Sequence, residues 1–400
     1  MLSFDEARAR WLSGIRPVAA ERVPTRDAPG RTLAVDVIAD RALPTFDHSA
    51  MDGYAVATAD CAGDGPYVLR MAGESRAGRA SKAHARGTAC RILTGAPLPP
   101  GADAVVMQEN VTLEGGAVVF AERPRAGAHV RRAGEDLAGG ALALRAGTRL
   151  SPGSVALASM LGRAELAVAR RPRVTVLCTG DELVSPGGAP GPGEIFESNS
   201  APLVALARQA GAAVRVAPIA ADDERATIEA VAGALEGSDV LVTVGGVSVG
   251  DRDHVRPALE HAGVSLDFWK VAIKPGKPLA VGRRGEMYVL GVPGNPASAM
   301  VTFVLFGMPL LRGLQGDAHP APAWLPVRLA LGRRRSPDRV EFVRASLSVE
   351  GGSLIATALD NQASGAATSL AASDGIAAVR PGEAPLAAGA AVEFLRWLDA

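Results

Sequence analysis

Lysine is almost missing from this chain: only four of its 42 basic residues are lysine, and three of those, Lys270, Lys274 and Lys277, share one short window. Everywhere else guanidinium serves where positive charge is wanted, so these ammonium groups are read as chosen for their chemistry. A compact point charge with rotating donors suits a tetrahedral oxyanion, whereas arginine presents a rigid planar fork. Net charge is lacking too. The 42 acidic residues cancel the 42 basic ones, which excludes a long-range field that would draw nucleic acid or an anionic membrane surface, so any anion site must be local. Cysteine is scarce. Cys61, Cys90 and Cys178 are odd in number and lack Cys-x-x-Cys spacing, which argues against a disulfide framework or a structural zinc site and points to the cytoplasm. The first residues, through Ile15, are charged and lack the apolar stretch of a signal peptide. The most apolar run, Ala297 to Leu311, is broken by Thr302, Gly307 and Pro309. It falls short of the ~20 residues that span a bilayer and is read as a buried helix.

What is present organises into several domains, two to four for 400 residues at roughly 100–200 residues each. Ser3 with Glu6 forms a capping box, and Phe4, Ala7, Trp11, Leu12 and Ile15 recur at helical spacing before Pro17. Short alternating segments to Asp40, then apolar pairs split by Gly and Pro turns from Leu43 to about Gly140, predict a mostly β region. At Arg173 the register changes. Val174 to Cys178 is a continuous apolar run of the kind buried on both faces of a parallel sheet. Helices over Asn199–Ala210, Asp222–Leu235 and Asp253–His261 then alternate with strands at Val214–Ile219, Asp239–Val244, Phe268–Ile273 and Tyr288–Leu290. This predicts an open parallel α/β sheet, in which ligands bind beyond the carboxyl ends of strands. From about Pro320 strands without helices return, predicting a small C-terminal β domain.

Unusual turns occupy those strand ends. Gly245-Gly246-x-Ser248-x-Gly250 can turn backbone N–H groups toward an anion, although it is neither a P-loop nor a dinucleotide fingerprint. Carboxylates gather at the same edge: Asp181 and Glu182, Asp222 and Asp223, Asp251 and Asp253. Beside a phosphate they would repel it unless a hard divalent cation such as Mg²⁺ bridges them. Read singly, Asp222 and Asp253 also stand where helix N-caps would. Lys274-Pro275-Gly276-Lys277-Pro278 puts two cations on a stiff turn, and Pro293-Gly294-Asn295-Pro296 opens the last long helix with Ser298 in its first turn. Two further motifs, Phe46 to Ala55 and Arg131 to Asp136, read on their own as a tight turn and a surface ion-pair cluster.

Taken together these motifs resemble the molybdopterin molybdenumtransferases. The resemblance rests on Phe46–Ala55, Arg91–Pro97, Arg131–Asp136, Thr179–Leu183, Gly245–Gly250, Ile273–Pro278 and Pro293–Pro296, in the family's order over nearly the whole chain. It implies a cytoplasmic, elongated homodimer combining an α/β domain similar to the MoaB and Mog proteins with all-β domains. Residues 1–20 with 172–320 would form the α/β molybdopterin-binding domain, 21–42 with 141–171 an extended linker, 43–140 a β-rich domain and 321–400 a C-terminal β-barrel. The activity implied is transfer of molybdenum from molybdate to adenylylated molybdopterin with Mg²⁺ assistance, releasing AMP and the finished cofactor.

Carried onto this sequence, the resemblance implies catalytic roles for Asp52, Thr94, Asp136, Glu182, Asp222, Asp253, Lys270 and Lys274. Glu182, Asp222 and Asp253 would hold the metal. Arg131, Gly245, Gly246, Ser248, Gly250, Lys277, Pro293, Pro296, Ser298, Arg344 and Ser364 would bind substrate. Asp52, Thr94 and Asp136 of one subunit would complete the site of the other. The sequence departs from the family at Glu197, where Asp is usual, and at Ala363, where Gly is common. It leaves open contact with a molybdopterin adenylyltransferase and with downstream cofactor-handling proteins. Two rival readings are an adenylyltransferase acting on molybdopterin and a non-catalytic scaffold of the same fold. The extra β domains weigh against the first, and the carboxylates at three sheet turns against the second.

Overall fold

A computed structural model describes residues 1–79, 82–246 and 254–397. The chain forms two compact units, Met1–Val35 with Ala146–Ser151 and Glu165–Ala400, and Asp36–Arg145 with Pro152–Ala164.

In the larger unit a six-stranded sheet runs in the order Ala213–Val216, Arg173–Cys178, Val240–Val244, Met287–Val292, Pro278–Arg284, Ser265–Lys270. The first four strands are parallel, as the apolar runs predict, and Val240–Val244 is buried at every position. Pro278–Arg284 runs antiparallel to both of its neighbours, so the sheet is mixed rather than purely parallel. The Pro278–Arg284 strand escapes the pattern because Pro278 and Gly285 punctuate it like a loop. Gly285 instead supplies the positive φ of a two-residue hairpin turn between Arg284 and Met287.

The capping box at Ser3 and Glu6 forms as expected and starts the helix Phe4–Leu12. Its apolar face enters the core: the Trp11 indole N–H donates to the Phe306 carbonyl at 3.2 Å, and Phe4 packs edge-on against Phe306 and Phe342. The apolar run around Phe303 is helical over Pro296–Leu314. Among the described residues it is the one helix long and apolar enough to cross a membrane, but most of it is buried in this core. A π-helical segment, Phe303–Gly307, lies in its middle, next to Pro309, whose missing N–H cannot bond the carbonyl four residues back.

Beyond it, Leu325–Leu329, Val340–Glu350, Ser353–Ala358, Gly375–Val379 and Ala391–Arg396 close into a five-stranded barrel. Gly351 and Gly352 both take positive φ and turn the Val340–Ser353 hairpin. A short helix, Ala367–Ala372, interrupts the expected all-strand pattern. At six residues it is too short to display a helical period.

The smaller unit contains the expected β region, a sheet in the order Ala104–Met107, Gly53–Val56, Thr88–Ile92, Tyr67–Ser75, Ala117–Phe120, Thr112–Glu114 around Tyr54, Tyr67 and Phe120. It also carries the helix Pro152–Met160.

The entry to the α/β sheet is pinned by one carboxylate. Asp239 accepts two hydrogen bonds from Arg170, at 2.6 and 2.8 Å, and a third from the Arg173 N–H at 2.7 Å. Burial pushes its pKa up, but these donors outweigh burial and hold it below the ordinary aspartate value. Asp239→Asn leaves a half-buried arginine unpaired and should cost about 2–4 kcal/mol in urea unfolding. Because the folded pKa is depressed, the wild-type advantage should be present above pH ~4. It should fade as pH falls through the lower folded value.

Candidate functional site

The carboxyl ends of the parallel strands open onto a cleft of about 710 Å³, walled by the turns after Cys178 and Val244, the start of the Pro296 helix and residues 365 and 367 of the barrel region. Gly245 (φ 87°) and Gly246 (φ 58°) both take positive φ, which glycine alone adopts readily, and the Gly245 N–H donates to the Val292 carbonyl at 3.2 Å. Side chains are excluded there. A Cβ on Gly246 would lie 2.3 Å from Cγ2 of Val255, and one on Gly245 3.0 Å from the Thr179 carbonyl oxygen. Ser248, Gly250 and Asp253 lie outside the described residues.

Glu182 and Asp222 line the same cleft. The N-cap of the Glu224–Leu235 helix is Asp223, which accepts from the Ala226 N–H, so Asp222 is free of that duty and lines the cleft. Its own N–H donates to Asp181 at 2.9 Å. Burial, reinforced by Asp181 and Glu182, pushes the Asp222 pKa up. Such crowding of carboxylates suits a hard cation that phosphate oxygens help to hold. Among the described residues no cluster of three or more metal-ligating side chains forms, and Asp253, the third expected ligand beside Glu182 and Asp222, lies outside them.

Two residues that line the same cleft each carry an orphaned polar atom. The Thr179 hydroxyl and the Asn199 side-chain oxygen are buried without a hydrogen-bond partner, although the Asn199 amide donates to the Gly294 carbonyl at 2.8 Å. Glu197, the longer acid where the family uses aspartate, accepts from the N–H groups of Asn199 and Ser200 at 2.5 and 2.9 Å. Burial, and then this carboxylate, push the Cys178 thiol up, so it stays protonated.

The lysines do not line this cleft. Lys270 and Lys277 are exposed, and Lys274 pairs with Glu341 at 3.2 Å on the other side of its turn, in a separate pocket. Pro293 and Ser298 are buried, and Pro296 takes the first turn of its helix. The Ala297 N–H donates to the Ser364 carbonyl at 3.0 Å, which brings the barrel loop to that helix start. Arg344 is fully buried with no carboxylate partner. Its guanidinium donates to Ser369 Oγ and to the carbonyls of Asn361 and Ala363, and Nη1 is left without a partner.

In the smaller unit three motifs converge. Asp47 accepts from the Arg132 guanidinium at 2.6 Å and the Ala133 N–H at 2.8 Å, tying Phe46–Ala55 to Arg131–Asp136. The Ala133 bond leads in holding the Asp47 pKa down. Asp52 accepts from the Thr94 N–H at 2.7 Å, and Gly95 donates to the Ser49 carbonyl. Arg131 reaches Glu135 at 3.1 Å, and Asp136 is exposed.

Sequence reasoning passed over Thr179, Asn199, Asn295 and Gly365 as site residues. Thr179 and Asn295 are uncharged residues adjacent to a glycine in their turns, which was the available signal, and Asn199 stands at the start of a helix. Gly365 carried none.

Residues 2–162 match the MoeA N-terminal region (domain I and II), residues 175–313 the probable molybdopterin binding domain, and residues 326–397 the MoeA C-terminal region (domain IV). The chain is 38% identical over 348 residues to the molybdopterin molybdenumtransferase of Haemophilus influenzae, covering 86% of this chain and 85% of that protein. It is 37% identical over 406 residues to the molybdopterin molybdenumtransferase of Synechococcus elongatus, covering 98% and 99%. The crystal structure of the molybdopterin biosynthesis MoeA protein of Pyrococcus horikoshii superposes with a TM-score of 0.80 at 29% identity, covering 99% of this chain and 100% of the other.

Proposed function

Because the chain belongs to the MoeA family of molybdopterin molybdenumtransferases, we propose that it transfers molybdenum from molybdate to the dithiolene sulfurs of adenylylated molybdopterin, releasing AMP and finished cofactor. The observation that carries this reading is the cleft that the positive-φ turn at Gly245 and Gly246 shares with Glu182 and Asp222. The reaction must hold a phosphoanhydride and an oxyanion close together, and their repulsion has to be offset by fixed donors and counter-charge. Gly245 and Gly246 would let the phosphates approach the backbone of this turn, although the Gly245 N–H itself is given to the Val292 carbonyl. Thr179 and Asn199 would offer their unpaired oxygens to the polar parts of the pterin. Glu182 and Asp222 would hold Mg²⁺, which when bound neutralises phosphate charge. Lys270 and Lys274 would neutralise further charge, and Lys274, Lys277, Ser298, Arg344 and Ser364 would receive molybdate, with Pro293 and Pro296 shaping the turn and Arg131 contacting the pterin phosphate.

We also propose a cytoplasmic homodimer in which Asp52, Thr94 and Asp136 of one protomer complete the site of its partner, and the four-part division into residues 1–20 with 172–320, 21–42 with 141–171, 43–140 and 321–400. The bond from the Thr94 N–H to Asp52 fixes the first two of these residues relative to each other. Purified protein given adenylylated molybdopterin, Mg²⁺ and molybdate is expected to release AMP only when molybdate is present. AMP release independent of molybdate, or none at all, would overturn the assignment.

A further inference from the structure

Four arginines fall within seven residues at the mouth of the barrel, Arg333, Arg334, Arg335 and Arg339, and they wall a pocket of about 510 Å³ together with Lys274 and Glu341. The pocket is built by the backbone. Ile273–Lys274 pairs in parallel with Val340 and Glu341, which sets Lys274 beside the arginine loop. Five cations here face one carboxylate. Glu341, 14% exposed at its side chain, holds Lys274 at 3.2 Å and Arg333 at 3.8 Å. Arg335 is fixed by the carbonyls of Arg380 and Pro381, and Gly382 lies so close that a Cβ there would sit 2.2 Å from its Cζ. Arg334 and Arg339 have no ion-pair partner among the described residues, and the Nε atoms of Arg333 and Arg339 are buried without an acceptor.

Like charges crowded into a concavity repel one another, and unpaired buried N–H donors are costly. Both costs are relieved by one ligand of opposite charge with several acceptor oxygens, which guanidinium forks bind in pairs. We propose that this pocket is a second anion site, separate from the glycine-lined cleft, and that it binds a divalent tetrahedral oxyanion group. Glu341 is the resident competitor: it occupies Lys274 and Arg333 when the anion is away. A free oxyanion such as molybdate and the phosphate of a nucleotide share this chemistry. If molybdate is the ligand, the pocket is a waiting place for the substrate of the proposed transfer, a consequence that rests on that reading; the binding itself does not.

The test is calorimetric titration of the full chain at low salt, without any pterin, using sodium molybdate, inorganic phosphate and AMP in separate runs. Arg334→Ser/Arg339→Ser should weaken oxyanion binding about tenfold or more. Glu341→Gln removes the competing charge and should tighten it about fivefold, a gain that a misfolded variant cannot mimic. Weakening confined to AMP identifies a nucleotide phosphate as the ligand, and weakening of molybdate or phosphate identifies a free oxyanion. Wild-type affinity for all three in the double arginine variant, or weaker binding in Glu341→Gln, would overturn the proposal whether or not the protein transfers molybdenum.

Discussion

Asp222→Asn should lower Mg²⁺-dependent transfer by about 10²–10³-fold, since a bound cation contributes several kcal/mol of charge stabilisation and each 1.36 kcal/mol is tenfold in rate. The loss should not come from unfolding. Burial, Asp181 and Glu182 already disfavour the charged form of Asp222 in the folded protein. A group whose folded pKa is raised binds its proton more tightly when folded, so its ionisation works against stability as pH rises. Removing that ionisation should leave the melting temperature unchanged or slightly higher. The same logic fixes the pH dependence of metal binding: protons compete for Asp222, so Mg²⁺ affinity should fall as pH drops toward its raised pKa. Asp181→Asn, by deleting a like charge, should move that fall to lower pH. Titrating Mg²⁺ against both variants between pH 4 and 8 checks the direction, and a melting temperature that collapses in Asp222→Asn would show a structural role instead.

Lys274→Arg keeps the charge yet should cut kcat/KM about 100-fold. The ammonium meets Glu341 through a single contact of 3.2 Å with its side chain half exposed, so it can be drawn away by an arriving anion. A guanidinium at the same strand end would grip the Glu341 carboxylate through its planar fork rather than through one contact. It would then be held in place and withheld from substrate. Lys274→Arg/Glu341→Gln should recover part of the activity. Steady-state AMP release in the two variants decides the matter, and near-normal turnover in Lys274→Arg alone would refute this account of why the chain keeps lysine there.

How much of this was legible in the sequence depended on whether a signal was local. The capping box at Ser3, the apolar strand at Val240–Val244 and the positive-φ glycines at 245 and 246 each follow from a few adjacent residues, and each formed as predicted. The Pro278–Arg284 strand did not show itself, because its edges carry proline and glycine and its partners lie on both sides in space. Asp222 and Asp223 are adjacent and identical in chemistry, so only the geometry of the helix start tells the cap from the cleft residue. The lysine window pointed to anion chemistry, yet the neighbours that define its surroundings, Arg333 to Glu341, lie some sixty residues further on and meet Lys274 only through barrel pairing. Burial of Arg344 left no local trace, since arginine is ordinarily a surface residue.

The first helix has a consequence for how the chain is made. Its two large apolar side chains find their partners at Phe306 and Phe342, and Asp5 meets Arg380 at 2.8 Å. The Trp11 hydrogen bond spans 295 residues. At about 5–20 residues per second of synthesis, this opening segment must wait roughly 15–60 s for the docking place to emerge from the ribosome. Throughout that interval an amphipathic stretch travels with its greasy side uncovered, a natural handhold for chaperones.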